Sequence, residues 1–390
     1  MEIRKLQGKE RFDAYLIETY CFHSRVEDPE KNRVQTESGT SDQWGAYSDD
    51  GKLMAVITNH LYRFMLDGRE ATAGGIGGVA TLPEYRETGV IREIFRSVLR
   101  DAYDRGEVIS ALYPFNHAFY RKQGYDTVTY QNDYELNPAL LNGYRFGGQV
   151  SRWQPGETVK PYLEVYNRFA AGFNFAMLRS EAQMEEHMKT DRLWSDRKFT
   201  YLFSLNGGNI AYLTFTDIRN DPAAILRVDE CAWTCPEGFR AILSFLGRFG
   251  ADYGTVQLPL PYGIDLLRIV RTSDAYGIRK TCRQDFMVRV INAKKLLGHI
   301  VRPAGCDLVI RVSDEIIAEN NVTLRITERD AAETEAAPDL EVSVRTLGQL
   351  AAGCISPDEA MLKPDIRVFS NEEMFRKVFT EKKLFVSEHF

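Results

Sequence analysis

The chain has 390 residues, 44% of them hydrophobic and 12% aromatic, and a formal net charge of −6. A single hydrophobic core stops growing at about 250–300 residues, so two or three domains are expected. The basic residues are scattered and outnumbered, which excludes the electrostatic footprint of a nucleic-acid binder. No apolar run of signal-peptide or membrane-span length opens the sequence, so a cytoplasmic protein without a membrane partner is expected.

The first segment, 1–148, begins with a helical run and then two β-rich stretches, 52–66 and 70–82, bounded by the turn signals "SDDG" and "LDG"; they read as consecutive antiparallel strands. From Val90, apolar residues at 90, 91, 94, 95, 98, 99 and 102 form the buried stripe of a helix ended by Gly106. A buried strand (107–115), a short helix closed by Gly124 and a last strand, "DTVTYQNDYEL", complete the segment. The strands flanking the long helix must then be parallel. The second segment, 149–283, repeats the order of elements, with a helix at "EGFRAILSFLGRFG". The third, 284–390, holds two alternating strands around Asn320-Asn321, an acidic connection expected to be solvated, a strand leading into a helix, and an apolar tail with Leu384, Phe385, Val386 and Phe390. The fold class is α/β, with mixed α+β sheets. The six cysteines are too far apart for a disulfide framework, and Cys231 and Cys235 have no second Cys or His pair nearby, so no metal is expected.

One stretch carries chemistry: "GGVATLPEYRETGVIREIF", Gly77 to Phe95, a strand, a Pro-led turn and a helix start. First-turn amides lack intrahelical acceptors and the helix dipole adds partial positive charge, so the turn suits a phosphate. Arg86 adds a fork of donors and Gly89 lets the backbone approach. The same spacing also fits an ordinary strand-to-helix turn with a solvent-facing Arg86.

"VATLPEYRETGVIREIF" and "ALYPFNHAFYRKQGY" resemble the GNAT acyltransferases, whose signature at this helix start is Q/R-x-x-G-x-G/A. The whole chain resembles their Eis (enhanced intracellular survival) branch. That resemblance implies two tandem GNAT-like domains, the second without cofactor, and a sterol-carrier-protein-like C-terminal domain that delivers the chain terminus to the active site. It implies acetyl-CoA as co-substrate: Val79, Ala80 and Thr81 pair with the pantetheine arm, Arg86, Glu87, Thr88, Gly89, Val90, Ile91 and Arg92 hold the pyrophosphate, and Phe115 and Asn116 contact the cofactor again. Ile91 stands where the broad motif has Gly or Ala, and Glu87 brings a negative charge near the phosphates.

For catalysis the resemblance implies Tyr120 as general acid for the departing sulfur and the C-terminal carboxylate of Phe390 as base, with His389 a competing base. Read from the residues alone, Tyr120 equally fits core packing with Phe119 and Tyr125, and the tail a strand or helical turn closing its domain. Glu27, Asp28 and Glu388 are candidates for drawing in an ammonium-rich acceptor. The expected reaction is acetyl transfer to primary amines, aminoglycoside-like polyamines or lysine side chains, by a homo-oligomer, a hexamer by the same likeness. The alternative is a non-catalytic module that binds acyl-CoA or lipid through the third segment.

Overall fold

The computed structural model of the protein describes residues 1–24, 28–39, 41–128, 131–188, 197–220, 223–270, 277–284 and 286–388. The chain begins β1 (Glu2–Lys5), α1 (Lys9–Cys21), α2 (Pro29–Glu37), β2 (Asp42–Tyr47), β3 (Leu53–Leu66), β4 (Arg69–Thr81), α3 (Val90–Arg105), β5 (Ile109–Leu112), α4 (His117–Arg121), β6 (Asp126–Thr127) and β7 (Gln131–Leu136). It continues through β8 (Gln149–Arg152), α5 (Lys160–Ala170), β9 (Met177–Leu178), α6 (Glu181–Met188), β10 (Lys198–Leu205), β11 (Gly208–Asn220), β12 (Ala223–Trp233), α7 (Pro236–Gly247), β13 (Thr255–Pro261) and β14 (Ile278–Arg283). The last part comprises β15 (Met287–Val290), α8 (Ala293–His299), β16 (Asp307–Ser313), β17 (Thr323–Thr327), β18 (Ala331–Glu333), β19 (Leu340–Ser343), α9 (Val344–Ala352), α10 (Pro357–Met361), β20 (Ile366–Val368) and α11 (Glu372–Val378).

The architecture is mixed α/β, as expected. β3 and β4 are antiparallel and joined through Asp67 and Gly68, both at positive φ, the left-handed turn that suits the strand twist. α3 buries Val90, Ile94, Phe95, Val98, Leu99 and Ala102 and ends at Gly106, whose φ of 79° makes the cap. β5 then returns parallel to β4, pairing Ala73–Ile76 with Ile109–Leu112.

Strand partners cross the segment boundaries expected at 148 and 284. The first sheet runs β1-β2-β3-β4-β5-β15-β6, with β9 on β3, and the second β14-β7-β13-β12-β11-β10-β8. β15 therefore enters the first sheet between β5 and β6. The single strand expected over "DTVTYQNDYEL" is divided: β6 stays in the first sheet and β7 lies inside the second. The side chains account for this, because Tyr134 and Leu136 on β7 are buried in one core with Phe203, Leu213 and Leu258, whereas Val288 and Val290 on β15 are buried with Val108 and Ala111.

The third sheet is β18-β17-β16-β19-β20. β18 lies in the acidic connection expected to be wholly solvated, and β19 runs directly into α9, as expected, with the Ser343 hydroxyl capping it. This unit shares its core with the first: Leu308, Ile310 and Leu347 belong to one cluster with Val288, Val290 and the tail residues Leu384 and Val386. The fully buried Arg289 on β15 donates to both oxygens of Asp314 at 2.9 and 2.8 Å and to the Gln123 carbonyl at 2.8 Å. A buried pair with each charge so engaged resists separation, and it pins the 314–317 loop against the end of α4. Among the described residues no helix is long and apolar enough to cross a membrane.

Candidate active site

Beyond Ile76 and Leu112 the pairing of β4 with β5 stops, while β4 continues to Thr81 along β3 alone. The β3–β4 register shifts between Val56 and Thr58, and Gly78 opposite takes a φ of 57°, a bulge that bends the strand. The edge of β4 that β5 leaves uncovered faces a cleft of about 1060 Å³.

The sequence-predicted cofactor residues gather here. Val79, Ala80, Thr81, Arg86, Glu87, Gly89, Val90, Ile91, Arg92 and Phe115 all line the cleft. Thr88 does not, since its hydroxyl turns back to donate to the Tyr85 carbonyl at 2.7 Å. Asn116 does not either; its Oδ1 accepts from the Phe119 amide at 3.1 Å and caps α4. Phe115 is 71% exposed on the cleft wall. Nothing in the sequence pointed to Cys21 and Phe22 at the end of α1, nor to Glu315 and Ile316 from the third unit, which also line it beside Arg96 and Lys122.

Pro83–Tyr85 forms a 3-10 turn before the helix starts at Val90, with Gly89 as its cap at φ 85°. Glu87 is also left-handed, at φ 64°. Among the described residues the amides of Glu87, Thr88, Gly89, Val90 and Ile91 have no hydrogen-bond acceptor, whereas Arg92 and Glu93 already donate to the Gly89 carbonyl. A run of free amides at a helix start is a seat for an anion. Arg86 donates from Nε to the Thr81 carbonyl at 3.2 Å, which holds its guanidinium beside the strand end. Ile91, the departure from the broad motif, is half-buried and packs against the core while still lining the cleft.

Tyr120 lies behind this wall. It is 2% exposed and packs its ring against Phe119, Phe115, Phe95 and Tyr125, with centroids 5.1, 5.3, 6.0 and 6.2 Å away. Burial raises its phenol well above the ordinary value. The Tyr125 hydroxyl is 2.8 Å from Ser110 Oγ, while that of Tyr120 has no partner among the described residues.

Residues 2–128 match the acetyltransferase (GNAT) domain family and residues 297–387 the sterol carrier protein domain family. The chain carries a GNAT acetyltransferase domain. It is, as expected, an enzyme of the N-acetyltransferase class, with a sterol-carrier-type domain at its C-terminal end. Among solved structures it is similar to a probable N-acyltransferase of unknown function from Enterococcus faecalis V583, at 19% identity and TM-score 0.88 over 100% of this chain and 99% of that one. It is likewise similar to a GCN5-related N-acetyltransferase from Anabaena variabilis (18%, TM-score 0.85) and to Eis1 from Mycobacterium abscessus (17%, TM-score 0.84), each over 100% of both chains. Likeness at these identities is one of fold. No curated protein matches the chain.

The C-terminal tail touches the GNAT domain at Tyr113 and the unit that follows it at Asn174 and Arg179. Asn174 donates to the Lys383 carbonyl at 2.8 Å, Leu384, Phe385 and Val386 are buried, and the Tyr113 hydroxyl, at the end of β5, donates to the Glu388 carbonyl at 2.9 Å. Arg179, fully buried, donates from Nε to Glu388 at 2.6 Å and grips Glu230 on β12 with two bonds of 2.8 and 2.6 Å, its guanidinium 4.0 Å from the Tyr166 ring. Burial pushes the Glu230 carboxyl up, but Arg179 and His187 outweigh it and hold the group well below the usual carboxylate range. Phe390 and His389, the expected bases, lie outside the described residues, as does Glu27. Asp28 caps α2, accepting from the Lys31 amide at 3.0 Å.

A second cavity, of about 920 Å³, opens where the tail meets the second sheet. Tyr62 of β3 lines it together with Asp133, Glu186, Asp229, Glu230 and Glu388. Carboxylates outnumber cations along its wall.

Proposed function

We propose that the chain is an acetyl-CoA-dependent N-acetyltransferase of primary amines. The observation that carries this reading is the run of unpaired amides from Glu87 to Ile91 at the mouth of the cleft left where β4 and β5 diverge. A diphosphate satisfies those donors, Arg86 and Arg92 face the same cleft, and the arm of the cofactor finds the uncovered edge of Thr81, Ala80 and Val79, which offers strand-like hydrogen bonds. Phe115 gains cover from water when the cleft fills.

In this reading Tyr120 protonates the departing sulfur, and the high pKa that burial gives its phenol keeps the proton on until a thiolate forms. The terminal carboxylate of Phe390 draws the proton from the incoming ammonium; the path of the tail through Tyr113 and Arg179 supports its delivery. The acidic cavity beside Glu388 suits acceptors with several ammonium groups, polyamines of aminoglycoside type or lysine side chains. Three units, a catalytic GNAT domain, a second GNAT-like domain without cofactor and the sterol-carrier-type domain, belong to the same proposal, as do cytoplasmic residence and a homohexamer.

The test is free-thiol release from acetyl-CoA with kanamycin, spermidine or a lysine peptide. Turnover is expected for the native chain, and Tyr120→Phe should lower kcat by about a hundredfold or more while acetyl-CoA binding persists. Full activity in that variant removes the acid. Co-purifying lipid with no thiol release from any amine would favour the binding-module alternative.

A further inference from the structure

Making an amide from an ammonium ion releases two protons, one to give the neutral amine and one as the C–N bond forms, while the departing sulfur takes one up. The reading above supplies one donor, Tyr120, and one acceptor, the chain terminus. A second proton acceptor is unassigned.

The cleft says where such a group must sit. With a diphosphate on the amides of Glu87–Ile91 and the cofactor arm along Thr81, Ala80 and Val79, the reactive thioester falls beside Gly78, the bulge residue. One carboxyl rests there. A Cβ on Gly78 would collide with Glu18 Oε1, so the bare backbone of the bulge is what leaves room for the α1 side chain. Thr58 Oγ1 on β3 donates to the same oxygen at 3.2 Å, and Glu18 Oε2 has no partner among the described residues. Cys21, one turn further along α1, already lines the cleft.

No cation faces this carboxyl among the described residues. On α1, Arg11 is turned to the Thr36 carbonyl at 3.1 Å, and Cys21 Sγ donates to the Thr81 carbonyl at 3.4 Å. On α2, Asn32 is bonded to the Tyr15 hydroxyl at 3.0 Å. β4 presents Gly78 and Ala80, and β3 presents Thr58 and His60, whose imidazole burial and Arg11 hold below its ordinary pKa and so favour the neutral form. Burial raises the Glu18 carboxyl to about 7, with the Thr58 hydroxyl offsetting only part of the rise. Such a group is ionised often enough near neutrality to accept a proton and basic enough to do so usefully.

We propose that Glu18 is the catalytic base that accepts the proton from the acceptor nitrogen as it attacks the thioester over Gly78. The inference rests on the acetyltransferase reading. The C–N bond forms and the C–S bond breaks; the nitrogen's proton goes to Glu18, Tyr120 gives its proton to the sulfur, and both residues then re-equilibrate with water.

Glu18→Gln keeps the shape and removes the basicity. Its kcat with an amine should fall about a hundredfold or more, its KM for acetyl-CoA should stay, and the acidic limb of the rate profile near pH 7 should vanish; Glu18→Asp should restore part of the rate. Slow hydrolysis of acetyl-CoA in amine-free buffer provides a readout independent of the acceptor, because water takes the place of the amine, and it should fall in parallel. Acetyl-CoA binding and Tm at pH 5 report whether the variant is folded. Unchanged rates and pH profiles in a folded Glu18→Gln overturn the proposal. Glu18-dependent hydrolysis without turnover of any amine sinks the acceptor reading and retains the base, while no thiol release by either route in the native chain overturns both.

Discussion

β4 leads into α3 and β12 leads into α7 along the same path. Each strand has a register shift against its antiparallel neighbour, and each helix returns a parallel strand that pairs over only a few residues, Ala73–Ile76 with Ile109–Leu112 in one case and Ile225–Arg227 with Thr255–Gln257 in the other. At α3 the two left-handed residues Glu87 and Gly89 leave a run of amides free. At α7 the Thr234 amide donates to the Ile210 carbonyl at 2.8 Å and Pro236 has no amide to offer, while the bonds of Gly238 and Phe239 to the Cys235 carbonyl match those of Arg92 and Glu93 to Gly89. A Cβ on Gly238 would meet the Ile210 carbonyl, so the helix start is pressed against β11. Topology alone therefore does not make a seat for an anion; which donors the turn leaves unpaired does. The second sheet has a different use, because Glu230 on β12 and the buried Arg179 together hold the C-terminal tail.

The largest effect that would break this division of labour is loss of the Arg179 anchor. Arg179→Met leaves Glu230 and Glu388 as buried charges without their partner, a change worth about 3–5 kcal/mol in similar settings. A lower urea midpoint is expected, together with loss of turnover and retained acetyl-CoA binding in whatever fraction stays folded. Tolerance of the change to within about 1 kcal/mol, at the scale of a surface pair, would mean that the second sheet does not anchor the tail.

A slightly smaller effect tests the first region. Glu18 has a folded pKa of about 7 against 4.5 for the free side chain. A raised folded pKa means that the stability it lends is fully present below pH 4.5 and is lost as pH rises through 7. Between pH 4 and pH 8 the native chain should therefore lose about 3 kcal/mol relative to Glu18→Gln, read as diverging urea midpoints. Parallel curves would show an ordinary, solvated carboxyl beneath the bulge.

The elements that position the site were legible where local pattern decides them. The stripe from Val90 to Ala102, the turn at Asp67-Gly68 and the caps at Gly106 and Gly124 follow from periodicity and glycine placement, and the turn residues followed from the helix start and the family signature. What could not be read was set by long-range packing. β7 leaves the first sheet because Tyr134 and Leu136 find their core with Phe203, Leu213 and Leu258, far along the chain, and no local signal distinguishes β6 from β7. Thr88 and Asn116 face away from the cleft because each satisfies a neighbouring backbone group first. Glu18 escaped notice for the converse reason: a glutamate on an amphipathic helix reads as solvated, and only the glycine bulge of a strand sixty residues away leaves room for its half-buried carboxyl there.

The smallest effect is also the most direct comparison, a matched pair of substitutions at the two turns. Gly89→Ala places a Cβ at φ 85°, 3.3 Å from Arg92 Nη2. An L-residue there costs about 1–2 kcal/mol, and relief comes by rotating the turn away from the conformation that points the free amides outward. Acetyl-CoA affinity should drop about tenfold, equivalent to about 1.4 kcal/mol, with the fold intact. Pro236→Ala does the reverse at α7, restoring an amide to a helix start; because that start stays packed against Ile210, affinity should move by less than about twofold, within the ordinary range of a neutral substitution. A clear gain in affinity from Pro236→Ala would place cofactor at the second turn as well, and that gain beside an unchanged Gly89→Ala would assign the phosphate seat to the second.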